Sequence, residues 1–438
     1  MAQAPAETRW LSRTASLLSA AVLCSTAGPA RAGNDDAILI GGHAAMTGGA
    51  VSATIGDGSA SWYNPAGLAR STRQTLDLNA SVYGISLSSS QGLFTLPDGT
   101  HGDATVLDWQ LVPSALSYVR QLSPRLVGAF SIVIPYSTDS DLRSSISEAN
   151  GREWLFEVDS LRNEYDYIVS LGVRVNDRLR VGVSLAGIYI SSETMSQVGV
   201  GQPDTPDTAF AVISQHTLVG DYGLRLTAGV QWSPARNWDL GLSAQLPALT
   251  GFRREVDAGL SGVAGGDGTQ TSSVGITNQS SLRGVWELST PLSLRMGVAY
   301  SFGGVQLALD GSLSTPLNSQ ERELDRALSG NARAGILVKR SELLSFGVGV
   351  FSDLNGQRAA GTDFVGVAGG VRLSHSYRVV EGQRDLTFFT TLAGRYAFGW
   401  GKTEGISLTS EETPELSSSL ASLQTHELAF NLGGGVNF

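Results

Sequence analysis

The sequence is poor in the residues most proteins use for chemistry and for solubility. Its 438 residues include one cysteine, Cys24, and two lysines, Lys339 and Lys402. With so little basic charge, and 30 Lys+Arg against 40 Asp+Glu, a nucleic-acid partner is excluded, because neutralising phosphates needs clustered Lys and Arg. Charged residues make up only 16% of the chain, where a soluble globular protein carries about 25%. No run reaches 18 apolar residues, so no transmembrane helix is indicated. The five histidines, His43, His101, His216, His375 and His426, show no metal-ligand spacing, and no nucleophile motif or paired-carboxylate signature stands out. Gly56-x-Gly58 and Gly265-Gly266-Asp267-Gly268 lack the strand-to-helix or repeat context of phosphate or calcium sites and read as loops. Neither an enzyme, nor a cofactor, nor a metal is expected.

What is present begins with an export signal. Arg9 and Arg13 precede an apolar stretch from Ala15 to Cys24, and Ala30-Arg31-Ala32 forms a small-x-small cleavage site. Residues 1–32 read as a secretory signal peptide, since an apolar core of about ten residues falls short of the roughly 20 needed to span a bilayer. Cys24 lies inside it, so disulfides and thiol chemistry are excluded from Gly33 onward. The exported chain keeps 27 basic and 39 acidic residues and is more acidic than the whole, which carries −10.

Beyond the signal, apolar and small or polar residues alternate. Tyr165, Tyr167, Val169, Leu171, Val173 and Val175 fall on one face and Asp166, Ser170, Gly172 and Arg174 on the other. After Asn176-Asp177-Arg178 the pattern resumes with Leu179, Val181, Val183 and Leu185, which predicts a hairpin. Similar alternation marks residues 126–136, 224–232, 238–246, 305–313, 365–373, 386–400 and 428–438. Alternation alone also suits a large soluble β-protein. The export signal, the Gly, Ser, Ala and Thr on the second face, and Trp232, Trp238, Tyr300, Phe302 and Trp400 near strand ends favour an outer-membrane barrel with its apolar face toward lipid.

Strand number follows from connection lengths. Short turns are expected at 123–125, 176–178, 233–237, 302–304 and 339–342, with a longer one at 375–384. Long loops are expected near 89–107, 137–153, 192–212, 250–274, 316–330, 352–363 and 401–424. Long and short connections alternate if Ser281 to Phe302 is a single strand bulged near Pro291, which predicts an all-β, fourteen-stranded antiparallel transmembrane β-barrel over residues 74–438. The last strand alternates through Leu428, Phe430, Leu432, Gly434 and Val436 to a terminal Phe438, and resembles the C-terminal strand that bacterial barrels present to their assembly machinery.

Residues 33–73 do not alternate and are rich in Gly, Ala and Ser. Gly48-Gly49-Ala50-Val51 followed by Ala60-Ser61-Trp62-Tyr63-Asn64-Pro65-Ala66-Gly67-Leu68 resembles the N-terminal signature of the FadL family of outer membrane transporters of long-chain fatty acids and hydrophobic compounds. Ala228 to Pro234, Leu240 to Ser243 and Leu294 to Tyr300 are similar to later strands of that family. The resemblance implies a barrel whose segment 33–73 folds into the lumen as a hatch. On residue chemistry alone, Asn64, Pro65, Ala66 and Gly67 could equally be an ordinary turn, with Pro65 fixing it and Gly67 allowing an unusual backbone angle. The resemblance favours a structural hatch role for these four.

The implied function is passive transport of hydrophobic small molecules, such as long-chain fatty acids or hydrocarbons, by a monomer in the cell outer membrane, surrounded by lipid and inserted by the barrel assembly machinery. The alternative is a barrel serving as a secretion-system or protein-interaction component. Loops 192–212 and 250–274 are polar or rich in Gly, Ser and Thr, so no ligand-binding residue is carried over from the family. Arg174, Arg225 and Arg395 on lumen-facing positions could meet a carboxylate, but pairing with lumen Asp and Glu is favoured.

Overall fold

The computed structural model describes residues 38–96, 98–112, 114–148, 151–201, 210–264, 273–284, 286–319, 324–358, 360–377, 386–408 and 416–438. The expected signal peptide with Cys24, the first five residues of the expected hatch, and residues 378–384 of the expected turn lie outside them.

Two short helices, α1 (Gly42–Thr47) and α2 (Ala60–Tyr63), and a 3-10 helix at Pro65–Arg70 precede the sheet. The strands then follow: β1 (Thr75–Thr95), β2 (His101–Val112), β3 (Ala115–Gln121), β4 (Leu126–Ser147), β5 (Glu153–Arg174), β6 (Leu179–Gly201) and β7 (Phe210–Ala235). Next come β8 (Trp238–Gln245), β9 (Leu249–Ala264), β10 (Ser273–Arg283), β11 (Glu287–Leu288), β12 (Ser293–Phe302) and β13 (Val305–Ser314). The last are β14 (Leu317–Ser319), β15 (Leu324–Arg326), β16 (Ser329–Lys339), β17 (Leu344–Asp353), β18 (Gly361–Tyr377), β19 (Leu386–Leu408) and β20 (Leu416–Asn437).

Apart from the small β14–β15 pair, these strands belong to one sheet, and the sheet closes on itself. β1 pairs antiparallel with β20 from Thr75↔Asn437 to Gln91↔Ser422. Gln74 and Phe438 exchange backbone hydrogen bonds of 3.1 and 2.9 Å at the foot of that seam. Closure removes the free edges that an open sheet would expose. Several strands lie end to end along a shared neighbour: β2 and β3 both pair with β1, and β8 and β9 both pair with β7. Likewise β12 pairs with β8, while β10 and β11 pair with β9.

Two expectations need correction. Residues 281–302 are not one bulged strand: pairing runs from Ser273 to Arg283, returns at Glu287–Leu288, and resumes at Ser293 after Pro291, which has no N–H to give a ladder. The outer loops are also shorter than expected. β4 reaches Ser147 and β5 starts at Glu153, so 137–153 is mostly ladder, and the same holds for 192–212, 250–274 and 401–424. Polar residues occupy both faces along much of these outer extensions, so the period-2 contrast that reveals a half-buried strand fades while the backbone pairing continues.

Alternation sets the two faces of the wall. On β5, Tyr167, Val169, Leu171 and Val173 are exposed and Asp166, Ile168, Ser170 and Gly172 are buried. The far side of the ring behaves alike: Phe346, Val348 and Val350 of β17, and Phe430 and Leu432 of β20, are exposed on the outer face. Aromatic rings bracket this apolar band. Tyr165, Tyr189, Tyr222 and Phe252 are register partners across four strands at one margin, and Trp238 faces Tyr300 at the other. Such paired girdles are the pattern of a wall whose outer face meets lipid between two interfaces.

The inner face encloses the N-terminal segment. α1 packs against β16 to β20, whereas α2 and the 3-10 helix pack against β4 to β7, so the segment touches opposite sides of the ring. Ile40, Ile55, Tyr63 and Leu68 are fully buried there. Close approach depends on glycines on the wall: a methyl group at Gly182 would overlap Pro65, at Gly241 Ser52, and at Gly349 Thr47.

Candidate functional site

The Asn64 to Gly67 motif is buried at the centre of this packing. Asn64 caps the 3-10 helix, its Oδ1 accepting from the Ala66 N–H at 3.2 Å, and Pro65 follows at the first helical position. Asn64 Nδ2 donates to Ser52 O at 2.9 Å and to Val230 O of β7 at 3.1 Å, tying the segment to itself and to the wall. Gly67 departs from expectation. It does not adopt a left-handed backbone; glycine is required because a methyl group would overlap the Ile55 carbonyl. Gly182 and Gly229, register partners on β6 and β7, leave room for Pro65 and Asn64 respectively.

Further polar contacts go beyond the sequence expectations. Asp310 Oδ2 accepts from the backbone N–H groups of Val51 at 2.9 Å and Ser52 at 2.7 Å. Gln231 Nε2 donates to Ser52 O and Ile55 O, both at 3.2 Å, while its Oε1 accepts from Arg70 Nε at 2.6 Å. Arg70 also donates to Ala53 O at 2.8 Å and pairs with Asp239 at 2.8 Å. Ser184 and Ser243 donate to the carbonyls of Ser61 and Tyr63. The signal in the sequence is a large polar side chain, Gln231 or Asp310, at an inward position otherwise held by small residues. Choosing its partner needs the strand register.

Arg174, Arg225 and Arg395 each have a partner. Arg225 pairs with Glu164 at 3.1 Å and with Asp166, and its guanidinium lies 4.8 Å from the Trp62 ring. Arg395 pairs with Glu427 at 3.6 Å. Arg174 instead donates to the Ala69 carbonyl at 3.0 Å. Burial pushes the His43 imidazole of α1 below the usual histidine range; Asp57 opposes this, and Arg372 and Arg70 add to it. Among the described residues, no group of three or more His, Cys, Asp or Glu could hold a metal ion.

Toward the long-loop end, a cavity of about 480 Å³ lies between this segment and the strand tips. Ile38, Arg395 and Glu427 line its inner end. Its waist carries hydroxyls, including Ser88, Ser160, Thr194 and Thr425, and its outer end is apolar, with Leu93, Phe94, Leu142, Phe156, Val198 and Ile406. Arg162 lines the waist over the Tyr136 ring at 5.5 Å, and its Nε is buried without a hydrogen-bond partner. The cavity also reaches the wall where β2 and β4 lie side by side. Among the described residues no ladder joins β2 to the outer half of β4; a register shift between Val133 and Tyr136 surrounds Pro135, and Asp141 N donates to Asp108 Oδ1 at 3.3 Å across the seam.

No protein-family model matches the sequence, and no curated protein sequence matches it. Solved structures do match in shape. A FadL homologue of Pseudomonas aeruginosa superposes with a TM-score of 0.57 at 12% identity, covering 92% of this chain and 99% of that one. The toluene transporter TodX of P. putida gives 0.56 at 14% identity over 92% and 99%. The toluene transporter TbuX of Ralstonia pickettii gives 0.52 at 12% identity over 92% and 99%. The chain therefore shares the fold of the FadL homologue and of these toluene transporters.

Proposed function

We propose that the protein is a passive outer membrane channel for hydrophobic compounds, such as long-chain fatty acids or hydrocarbons. Counting strands that lie end to end as one, we read it as a fourteen-stranded barrel over residues 74–438, with residues 33–73 as a hatch and 1–32 as a removed signal peptide. The observation that carries this reading is the cavity of about 480 Å³ held in a lipid-facing wall above a bonded plug. A solute leaving water for apolar walls gains roughly 25 cal/mol per Å² of apolar surface buried, so partition alone loads such a site.

The plug is bonded to β4 through β7, β8 and β13, which favours a path that leaves it in place. The unladdered seam between β2 and β4, beside exposed Leu107, offers a sideways route from the cavity to lipid. Asn64, Pro65, Ala66 and Gly67 act as the structural knot of the hatch. Phe438 acts as the assembly signal and closes the seam with Gln74.

The test is purification from outer membranes in mild detergent, followed by organic extraction and mass spectrometry. A co-purifying apolar molecule displaced by added oleate or toluene is expected. Recovery from the soluble periplasmic fraction would refute the reading, as would a stoichiometric protein partner with no apolar molecule bound.

A further inference from the structure

The cavity has a roof, built where β1 leaves its ladder with β20 and keeps that with β2. β1 follows β20 as far as Gln91↔Ser422, then turns at Gly92, whose φ is +65°. Beyond the turn it forms parallel bridges to β19 at Phe94↔Ile406 and Thr95↔Ser407. β19 is already paired with β20 at those residues, so β1 has crossed to its other edge, which β18 follows only as far as Lys402. The crossing carries Phe94 over the lumen, where it is fully buried.

Phe94 stacks on Phe156 with ring centroids 4.3 Å apart, and Phe156 on Trp154 at 6.3 Å. Leu96, Ala104, Ile146 and Val200 join the same apolar cluster. Trp154 Nε1 donates to Glu148 Oε1 at 2.8 Å, and Arg152 lies 3.6 Å from that carboxylate, which satisfies the polar atoms at its margin. Outside its own hairpin, the backbone attachment of this tip is slight. The tip stays paired with β2 at Phe94↔Gly102 and Thr95↔His101, and Gly92 N donates to Asp103 Oδ1 at 2.8 Å, all within one hairpin. Two bridges to β19 are its ladder to the rest of the wall, and nothing lies within 4 Å of where a Gly92 side chain would be. Segments held by few backbone bonds open locally at small cost.

We propose that the tip of the β1–β2 hairpin is a lid that bends at Gly92, where the β1–β2 register shifts, and that the aromatic cluster beneath it is the port by which apolar solutes reach the cavity. The port takes apolar groups, and because its rings offer a charged group nothing to replace its water, a fatty acid crosses it as the neutral acid. Its use in uptake rests on the transport reading; its existence as a movable roof does not.

The mature chain is expected to carry no cysteine, so engineered ones report alone. Thr95→Cys with Ser407→Cys should cross-link under oxidant, cut uptake of radiolabelled oleate and toluene about tenfold or more, and recover on reduction. Each single variant should transport normally. Separately, Ser160→Cys in the cavity should react with a sulfonated maleimide about tenfold faster once Phe94→Ala is added. Failure to cross-link, undiminished uptake by the oxidised pair, or unchanged labelling would each overturn the lid. If wild type and reduced pair move neither oleate nor toluene, the transport reading fails, and the labelling rates still decide the lid.

Discussion

Ser52 donates its backbone N–H to Asp310 Oδ2 at 2.7 Å, joining the N-terminal segment to a strand 258 residues further along the chain. The same oxygen takes the Val51 N–H, so one carboxylate satisfies two buried donors. Leaving a buried donor unpaired costs about 1–3 kcal/mol. Asp310→Ala is expected to lower the temperature at which the barrel loses its heat-modifiable gel mobility. It should also raise permeability to small sugars in liposome swelling, with Asp310→Asn intermediate.

Glycine where the wall meets the N-terminal segment is required by space. A methyl group at Gly229 would overlap the Asn64 side chain, whereas nothing lies within 4 Å of the corresponding point at Gly187. Overpacking a close contact costs roughly 1–3 kcal/mol. Gly229→Ala should therefore destabilise the folded barrel in thermal unfolding, and Gly187→Ala should leave it unchanged within about 0.5 kcal/mol.

Arg225 pairs with two acidic neighbours under the cavity, Glu164 and Asp166. Removing one partner of a buried charge set costs about 3–5 kcal/mol. Arg225→Met is expected to reduce the yield of folded barrel sharply, and adding Asp166→Asn should restore much of it. Equal yields for the single and double variants would contradict this coupling.

These relationships also mark what is legible in the sequence. Alternation in Tyr165 to Val175 places the wall and its two faces, because an apolar outer face and a packed lumen leave a sharp contrast. The Asn64 to Gly67 motif draws attention to the buried segment. Residues 137–153 escape because a strand with polar residues on both faces loses that contrast. Gln231, Asp310 and the crossing of β1 to β19 escape because each depends on register between strands far apart in sequence. Gly67 stands out in the sequence, but its reason lies in the packing: contact with Ile55, not a special backbone angle, requires it.

Arg162, at the waist of the cavity, has its Nε buried without a hydrogen-bond partner. Arg162→Ala is expected to weaken binding of a carboxylated amphiphile such as oleate by about tenfold, the scale of one charge-assisted hydrogen bond. Toluene binding should change little. Titration of purified protein with both ligands measures the difference, and equal losses would show that Arg162 shapes the cavity without reading charge.

The most direct test of the account is uptake. Cells lacking their own transporter for hydrophobic compounds, and expressing this protein as a heat-modifiable outer membrane barrel, should take up radiolabelled oleate or toluene faster than cells with empty vector. The rate should saturate and should not depend on an energised inner membrane. Uptake equal to the vector control for both compounds, with the barrel correctly assembled, would contradict the proposed function.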